Sequence, residues 1–318
     1  MRVYRIGSSS SIKIDTEGNN MKIVDHIYHI GKKLLPYPQY WPKWVHELRL
    51  NRNNKRRFGK TYNFINPVTF NEKIQWYMLN CDDERVTEFT DKISFKDYIK
   101  DKLGEGYTAE ILEVWERPED VDLSRLRAPF VIKSNCSGDG LNIRIITEED
   151  FNSEELKTEV SKWFDWRNTF INSSSRAYYK IKPKVFAEEY LQAPDGNLID
   201  YKFYCFNGKP YCVYTSFGGF DYLGNAKFSF YNTSWEPLNI QYGTRETETV
   251  PKPIHLSKML QIASKLSEGF PFVRVDFYDL PEKVIVGEMT YDSSWGEKEF
   301  NPEFFDYELG KQFDISLK

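Results

Sequence analysis

The chain's organisation turns on Phe130-Val-Ile-Lys-Ser-Asn-Cys-Ser-Gly-Asp-Gly-Leu-Asn-Ile-Arg-Ile-Ile146. An apolar run ends in Lys133, a turn with Gly138 and Gly140 follows, and Asn142 to Ile146 alternates polar with apolar. That order predicts strand, turn and partner strand. Glycines let backbone N–H groups approach anionic oxygens closely, and a lysine adds a point charge. The hairpin therefore reads in two ways, as a plain glycine turn or as a cradle for phosphates. The stretch alone does not choose, so the rest of the chain has to.

The chain has 318 residues, enough for a sizeable core in two or three lobes. Lys and Arg number 43 against 47 Asp and Glu, a formal charge of −4, which argues against a general nucleic-acid binder. Mean hydropathy is −0.60, and no apolar run approaches the roughly 18 to 20 residues of a membrane span. The first 20 residues are polar and read as a flexible lead without a signal peptide. Cys81, Cys136, Cys205 and Cys212 have no metal-ligand spacing, so a reduced cytoplasmic protein is expected. The four histidines are scattered, which disfavours a His-based zinc site or triad.

Along the chain, Ile23, Ile27, Ile30 and Leu34 recur at helical spacing before Pro36. Tyr37 to Trp44 and the basic run Lys55-Arg56-Arg57 are expected to be a solvated loop; contact with a membrane surface is the alternative. Thr69 with Glu72 predicts a capping box, and Thr90-Asp91 predicts the start of a further helix that ends at Gly104. From Tyr107 strands dominate. Ala109 to Trp115 and Lys184 to Leu191 read as strands. Ile199 to Phe206 and Lys209 to Thr215 flank Asn207-Gly208, a type I′ hairpin signal. A serine-rich loop at 168–176, a turn at 193–197, an amphipathic helix from Pro253 to Leu266 and a closing helix from Asn301 to Gly310 complete the reading. The expected division is a lead at 1–20, a helical region at 21–106, a small lobe with the glycine hairpin at 107–191, and a large lobe at 192–318.

Asp276 and Glu288 are the sharpest pair. Acidic residues are depleted inside strands, and a short link containing Leu280-Pro281 would set these two strands antiparallel with both carboxylates on one face. Hard oxygens of this kind suit Mg²⁺, although a salt-bridged pair near Arg274 reads equally well. Lys92, Lys133 and Lys202 are lysines in structured contexts, and a buried lysine calls for an anion. Glu188 and Glu189, adjacent on one strand, point to opposite faces. Asp120-Val121-Asp122 is a competing Asp-x-Asp signal for a metal-dependent glycosyltransferase, but it follows a polar turn instead of an apolar strand.

The order of a lysine, Val-Ile-Lys with a glycine hairpin, Ala187-Glu-Glu-Tyr-Leu191, Asp200-Tyr-Lys-Phe203 and Val275-Asp-x11-Glu288-x-Thr290 resembles the ATP-grasp superfamily. Several further motifs are similar to the TupA-like ATP-grasp family, associated with teichuronopeptide and other surface-polysaccharide biosynthesis. They are Thr69-Phe-Asn-Glu-Lys73, Phe206-Asn-Gly-Lys209, Gly269-Phe-Pro-Phe-Val-Arg-Val-Asp276, Gly287-Glu288, and Phe300-Asn-Pro302 with Asp306-Tyr-Glu-Leu-Gly310. The resemblance runs from about Arg57 to Asp314 and implies an α/β ATP-grasp fold of two β-rich lobes with ATP between them, after a mostly helical N-terminal region. It implies that Lys92 and Lys133 contact ATP phosphates under a lid of Ser137, Gly138 and Gly140. Glu188 and Glu189 would read adenine and ribose. Lys202 would sit near the phosphates, and Arg274 would face the transferred phosphoryl group. Asp276, Glu288 and Thr290 would hold Mg²⁺. The implied activity is carboxylate–amine ligation on a small-molecule or glycan acceptor, a sugar acid or amino acid, in the cytoplasm or at the inner face of the membrane. A non-catalytic nucleotide-binding module is the other reading.

The sequence departs from the family pattern at three places. Thr290 stands where asparagine is usual, and Cys136 replaces a histidine in the glycine turn. Tyr291-Asp-Ser-Ser-Trp295 replaces Pro-Gly, which offers Asp292 as a substitute ligand.

Overall fold

The computed structural model describes residues 38–138, 140, 142–148, 151, 153–165, 174–193, 196, 198–217, 226–243 and 247–317. The lead, the helix expected from Ile23 to Leu34, Asp139, most of the serine-rich loop and part of the 193–197 turn lie outside them.

Four helices come first: α1 (Lys43–Phe58), α2 (Phe70–Asn80), α3 (Glu84–Thr90) and α4 (Ser94–Leu103). The expected loop is corrected here. Trp44 and the basic run Lys55-Arg56-Arg57 both belong to α1, which buries His46, Leu50 and Asn54. Asn54 exchanges amide hydrogen bonds with Gln75 of α2, so the polar composition that concealed this helix is part of its packing. The capping box forms as read: Glu72 N donates to Thr69 Oγ1 at 3.3 Å, and Thr69 N donates to Glu72 Oε2 at 3.1 Å. Thr90-Asp91 does not open one continuous helix. Residue 90 closes α3, and the Asp91 carboxylate accepts from Ile93 N (2.9 Å) and Ser94 N (3.4 Å) at the start of α4.

The first sheet joins β1 (Ile111–Trp115), β2 (Phe130–Ser134), β3 (Ile143–Ile146) and β4 (Val185–Glu189) in the order β1-β4-β2-β3, with every pair antiparallel. Helix α5 (Ser153–Ser161) covers one face, where Leu156, Val160, Trp115, Phe130, Ile132 and Val185 form one core. The glycine stretch is therefore a hairpin, with Lys133 opposite Ile143.

The second sheet contains β5 (Asp200–Phe206), β6 (Lys209–Phe217), β7 (Lys227–Asn232), β8 (Pro237–Leu238), β10 (Val273–Asp279) and β11 (Val284–Thr290), in the order β11-β10-β5-β6-β7-β8. Asn207 (φ 44°) and Gly208 (φ 79°) both take positive φ, as a type I′ turn between β5 and β6 requires. Helix α6 (Leu256–Leu266) packs its apolar stripe of Met259, Ile262, Ala263 and Leu266 into this core. The expected closing helix starts later than read. Phe300–Asn301 is a short strand, β12, paired with β9 (Gln241–Tyr242), and α7 spans Phe304–Gln312.

Phe70, at the first turn of α2, binds the helical region to the second sheet. It is fully buried, edge-on to Phe272 at 4.9 Å and stacked on Tyr204 at 5.3 Å. Burying such a ring contributes about 1.5–3 kcal/mol. Among the described residues no helix is long and apolar enough to cross a membrane.

Candidate active site

The two sheets face each other across a cleft of ≈ 710 Å³. Lys92, Lys133, Lys202, Glu188, Arg274, Asp276, Glu288 and Thr290 all line it, as do Ser137, Gly138, Gly140 and Glu189. The residues singled out from sequence thus converge on one space. Asp120 and Asp122 are not among its lining; Asp120 instead accepts from Arg117 at 2.8 Å on the surface.

The floor follows from strand periodicity. On β10, Val273, Val275 and Phe277 point into the core, so Arg274 and Asp276 point into the cleft. Asp276 is directly opposite Glu288 on β11 and Lys202 on β5, so three charged side chains stand in one row. An irregularity follows Asp276 in the β10–β11 register, and Tyr278 also lines the cleft. A Cβ on Gly287 would meet the Tyr278 ring at 2.9 Å, so the absence of a side chain there leaves room for that ring.

Lys92, Lys202, Arg274, Asp276 and Glu288 are all partnered on this floor. Lys202 Nζ donates to Asp276 Oδ2 at 2.7 Å and also to Asp200. Arg274 grips Asp276 with Nε at 2.7 Å and Nη2 at 2.6 Å, and Nη2 reaches Glu288 Oε2 at 3.0 Å and Thr290 Oγ1 at 3.1 Å. Lys92 Nζ donates to Glu288 Oε1 at 2.7 Å. Burial opposes ionisation of Glu288, but Lys92 and Arg274 outweigh it and hold its carboxyl well below the usual range. Burial also opposes the charged form of Lys202, but Asp200 and Asp276 outweigh it and raise its pKa. Burial raises the Asp200 carboxyl to about 6, and its Oδ1 is buried without a hydrogen-bond partner.

The roof is the first sheet. Glu188 on β4 is clasped by Lys133 and by Lys96, the latter at 2.9 Å. Lys96 was not anticipated. It lies in the first turn of α4, four residues after Lys92, and donates also to Ala109 O at 2.6 Å. The i, i+4 spacing of Lys92 and Lys96 was the only sequence signal for it. Asn135 was missed as well. This fully buried residue donates to Asp91 Oδ2 (2.9 Å) and Lys182 O (3.1 Å), accepts from Lys184 N (2.8 Å), and offers its carbonyl to Lys92 N (2.8 Å). It therefore fixes the base of the glycine hairpin against the segment that carries Lys92. Cys136 beside it is buried, and burial pushes its thiol up to about 11.

Asp276, Glu288 and Thr290 offer two opposed carboxylates and a hydroxyl, hard oxygen donors that fit Mg²⁺ when substrate oxygens complete the shell. Among the described residues no three His, Cys, Asp or Glu side chains are grouped to hold a metal. Asp276, Glu288 and Asp292 thus line the same cleft without forming one three-carboxylate group.

Residues 72–314 match the TupA-like ATPgrasp family. No curated protein sequence matches the chain. Among solved structures, D-alanine–D-alanine ligase from Bacillus anthracis is 20% identical over 65% of this chain and 58% of that one, with a TM-score of 0.38. The Helicobacter pylori D-alanine–D-alanine ligase is 17% identical over 71% and 61%, at 0.40. L-amino acid ligase from Bacillus licheniformis is 10% identical over 87% and 55%, at 0.38. The chain thus spans between 55% and 61% of the length of these three ligases. The family match covers most of the sequence, including Lys92, Lys133, Lys202, Arg274, Asp276 and Glu288, and on that ground the chain belongs to the TupA-like ATP-grasp family.

Proposed function

We propose that this protein is an ATP-dependent carboxylate–amine ligase of surface-polysaccharide or teichuronopeptide biosynthesis. The observation that carries the reading is the convergence of Lys92, Lys133, Lys202 and Arg274 with Asp276 and Glu288 in one cleft between two sheets. In this reading the first sheet is the small lobe of 107–191 and the second belongs to the large lobe of 192–318, with nucleotide between them.

Lys92, Lys133 and Lys202 meet the phosphates, and Ser137, Gly138 and Gly140 close over them. Glu188 holds Lys133 and Lys96 in position, and together with Glu189 it marks the strand where adenine and ribose lie. Arg274 faces the phosphoryl group in transfer. Asp276, Glu288 and Thr290 would hold Mg²⁺, which when bound supplies charge neutralisation on that group. The acid's carboxylate oxygen attacks the terminal phosphorus of ATP, and the bond to ADP breaks. An amine then attacks the acyl carbon, phosphate leaves, and the amine loses a proton. The protein's part is positioning and electrostatics, and a hairpin lid keeps water from the acyl phosphate. The carboxylate is that of a sugar acid or amino acid, met in the cytoplasm or at the inner face of the membrane.

The test is ADP release against sugar acids crossed with amino acids, with product mass identifying the bond. Hydroxylamine traps an acyl phosphate as a hydroxamate. ATP binding with neither ADP release nor hydroxamate across the panel would establish a non-catalytic nucleotide-binding module instead.

A further inference from the structure

Beyond β11 the chain enters a turn with rare backbone geometry. Ser294 (φ 47°), Trp295 (φ 53°) and Gly296 (φ 61°) are three successive left-handed residues, two of them not glycine. Such strain persists only where neighbours over-determine it, and it gathers at ligand sites. Here the N-terminal helical region does the holding. Gln75 Nε2 donates to Trp295 O at 3.2 Å, Tyr62 OH donates to Gly296 O at 3.3 Å, and a Cβ on Gly296 would meet Asn71 O at 2.5 Å.

A second, independent observation points to a ligand. Asp292, just before the turn, is 3% exposed, and Ser175 hydrogen-bonds its carboxylate, yet its Oδ2 is buried with no hydrogen-bond partner. A desolvated carboxylate oxygen in that state calls for a donor, best a cationic one. Asp292, Ser294 and Trp295 all line the cleft, and Trp295 is 38% exposed there. An indole face attracts cations and covers apolar surface.

We infer that this turn is the subsite for the amine co-substrate: Asp292 Oδ2 takes the ammonium group of a primary amine, an amino acid or amino sugar, and Trp295 covers its body. The purpose of the subsite rests on the ligase reading; its test does not. Ligand-detected NMR on the full chain compares L-alaninamide, a cation, with lactamide, its uncharged hydroxyl analogue. Alaninamide is expected to bind at least about tenfold more tightly, with the preference lost in Asp292→Asn. Trp295→Gly, which relieves the left-handed strain, is expected to melt no lower than wild type and to weaken alaninamide about threefold. Equal binding of the two probes by wild type, or an intact preference in a folded Asp292→Asn variant, overturns the assignment. If Asp292→Asn does not fold, unchanged alaninamide affinity in Trp295→Gly overturns it. Because binding is read without turnover, a missing ADP release would remove the ligase reading and leave this result standing.

Discussion

Asp276 and Glu288 stand directly opposite each other on adjacent antiparallel strands and share one cation, Arg274, whose Nη2 reaches both at 2.6 and 3.0 Å. The guanidinium separates two carboxylates that would otherwise repel. Each carboxylate also has a lysine of its own, Lys202 for Asp276 and Lys92 for Glu288.

Glu288→Gln removes one of the two charges and leaves Lys92 without its partner. ATP turnover is expected to fall roughly 100-fold, and the Mg²⁺ concentration at half-maximal rate is expected to rise. Measuring ADP release against Mg²⁺ checks both. Full turnover at the wild-type Mg²⁺ requirement would reject Glu288 as a ligand.

Glu188 gives a pH signature. Burial opposes its ionisation, but Lys133 and Lys96 outweigh that and lower its pKa from 4.5. A carboxyl with a depressed folded-state pKa contributes stability that is present above its unfolded value and lost as pH falls through the folded one. Glu188→Gln, which leaves two lysines uncompensated, should cost about 3 kcal/mol at neutral pH. The gap to wild type should close in acid, below the unfolded carboxyl value. Melting curves from neutral pH into acid test this, and a gap that stays constant would contradict it.

Lys202 is 12% exposed in its side chain and lies between Asp200 and Asp276. Lys202→Met should destabilise the fold by about 3–5 kcal/mol, because it leaves two buried like charges together. Adding Asp200→Asn should recover part of that loss. Urea unfolding of the single and double variants reads the coupling; strict additivity would show that Lys202 and Asp200 act independently.

Gly310 on α7 tests the contact between the C-terminal helix and the start of α2. A Cβ there would meet Val68 O at 2.3 Å and Phe70 N at 3.0 Å. Gly310→Ala must push α7 away from the start of α2, an overpacking cost of about 2 kcal/mol. A drop of several degrees in Tm is expected, and an unchanged Tm would show that the contact yields freely.

Local signals in the sequence specify local structure. The Thr69–Glu72 cap, the Asn207-Gly208 turn and the alternation around Asp276 each depend on a few neighbouring residues, and each formed. What stayed hidden depends on distant partners. Lys96 looks like any helical lysine until β4 brings Glu188 to it. Asn135 is an unremarkable polar residue in a turn until Asp91, Lys182 and Lys184 surround it. Helix α1 was masked by Trp44, the asparagines and the basic run, because its stability comes from packing on α2 more than from an apolar stripe. The strained turn at Ser294 and Trp295 has no local signature. Its conformation is imposed by Gln75, Tyr62 and Asn71, more than 200 positions earlier.

The saturated ion pairing of the cleft floor has a thermodynamic consequence. A polyanion arriving alone must pull Lys92 and Lys202 from their carboxylates and leave those carboxylates bare. A divalent cation arriving alone must displace Lys92, Lys202 and Arg274 and leave them bare. Arriving together, they exchange partners pairwise, anion to lysine and cation to carboxylate, with no charge stranded. Under the ligase reading, the affinities for nucleotide and metal should therefore be reciprocally linked, with the cleft acting as a coincidence detector for the complex of the two.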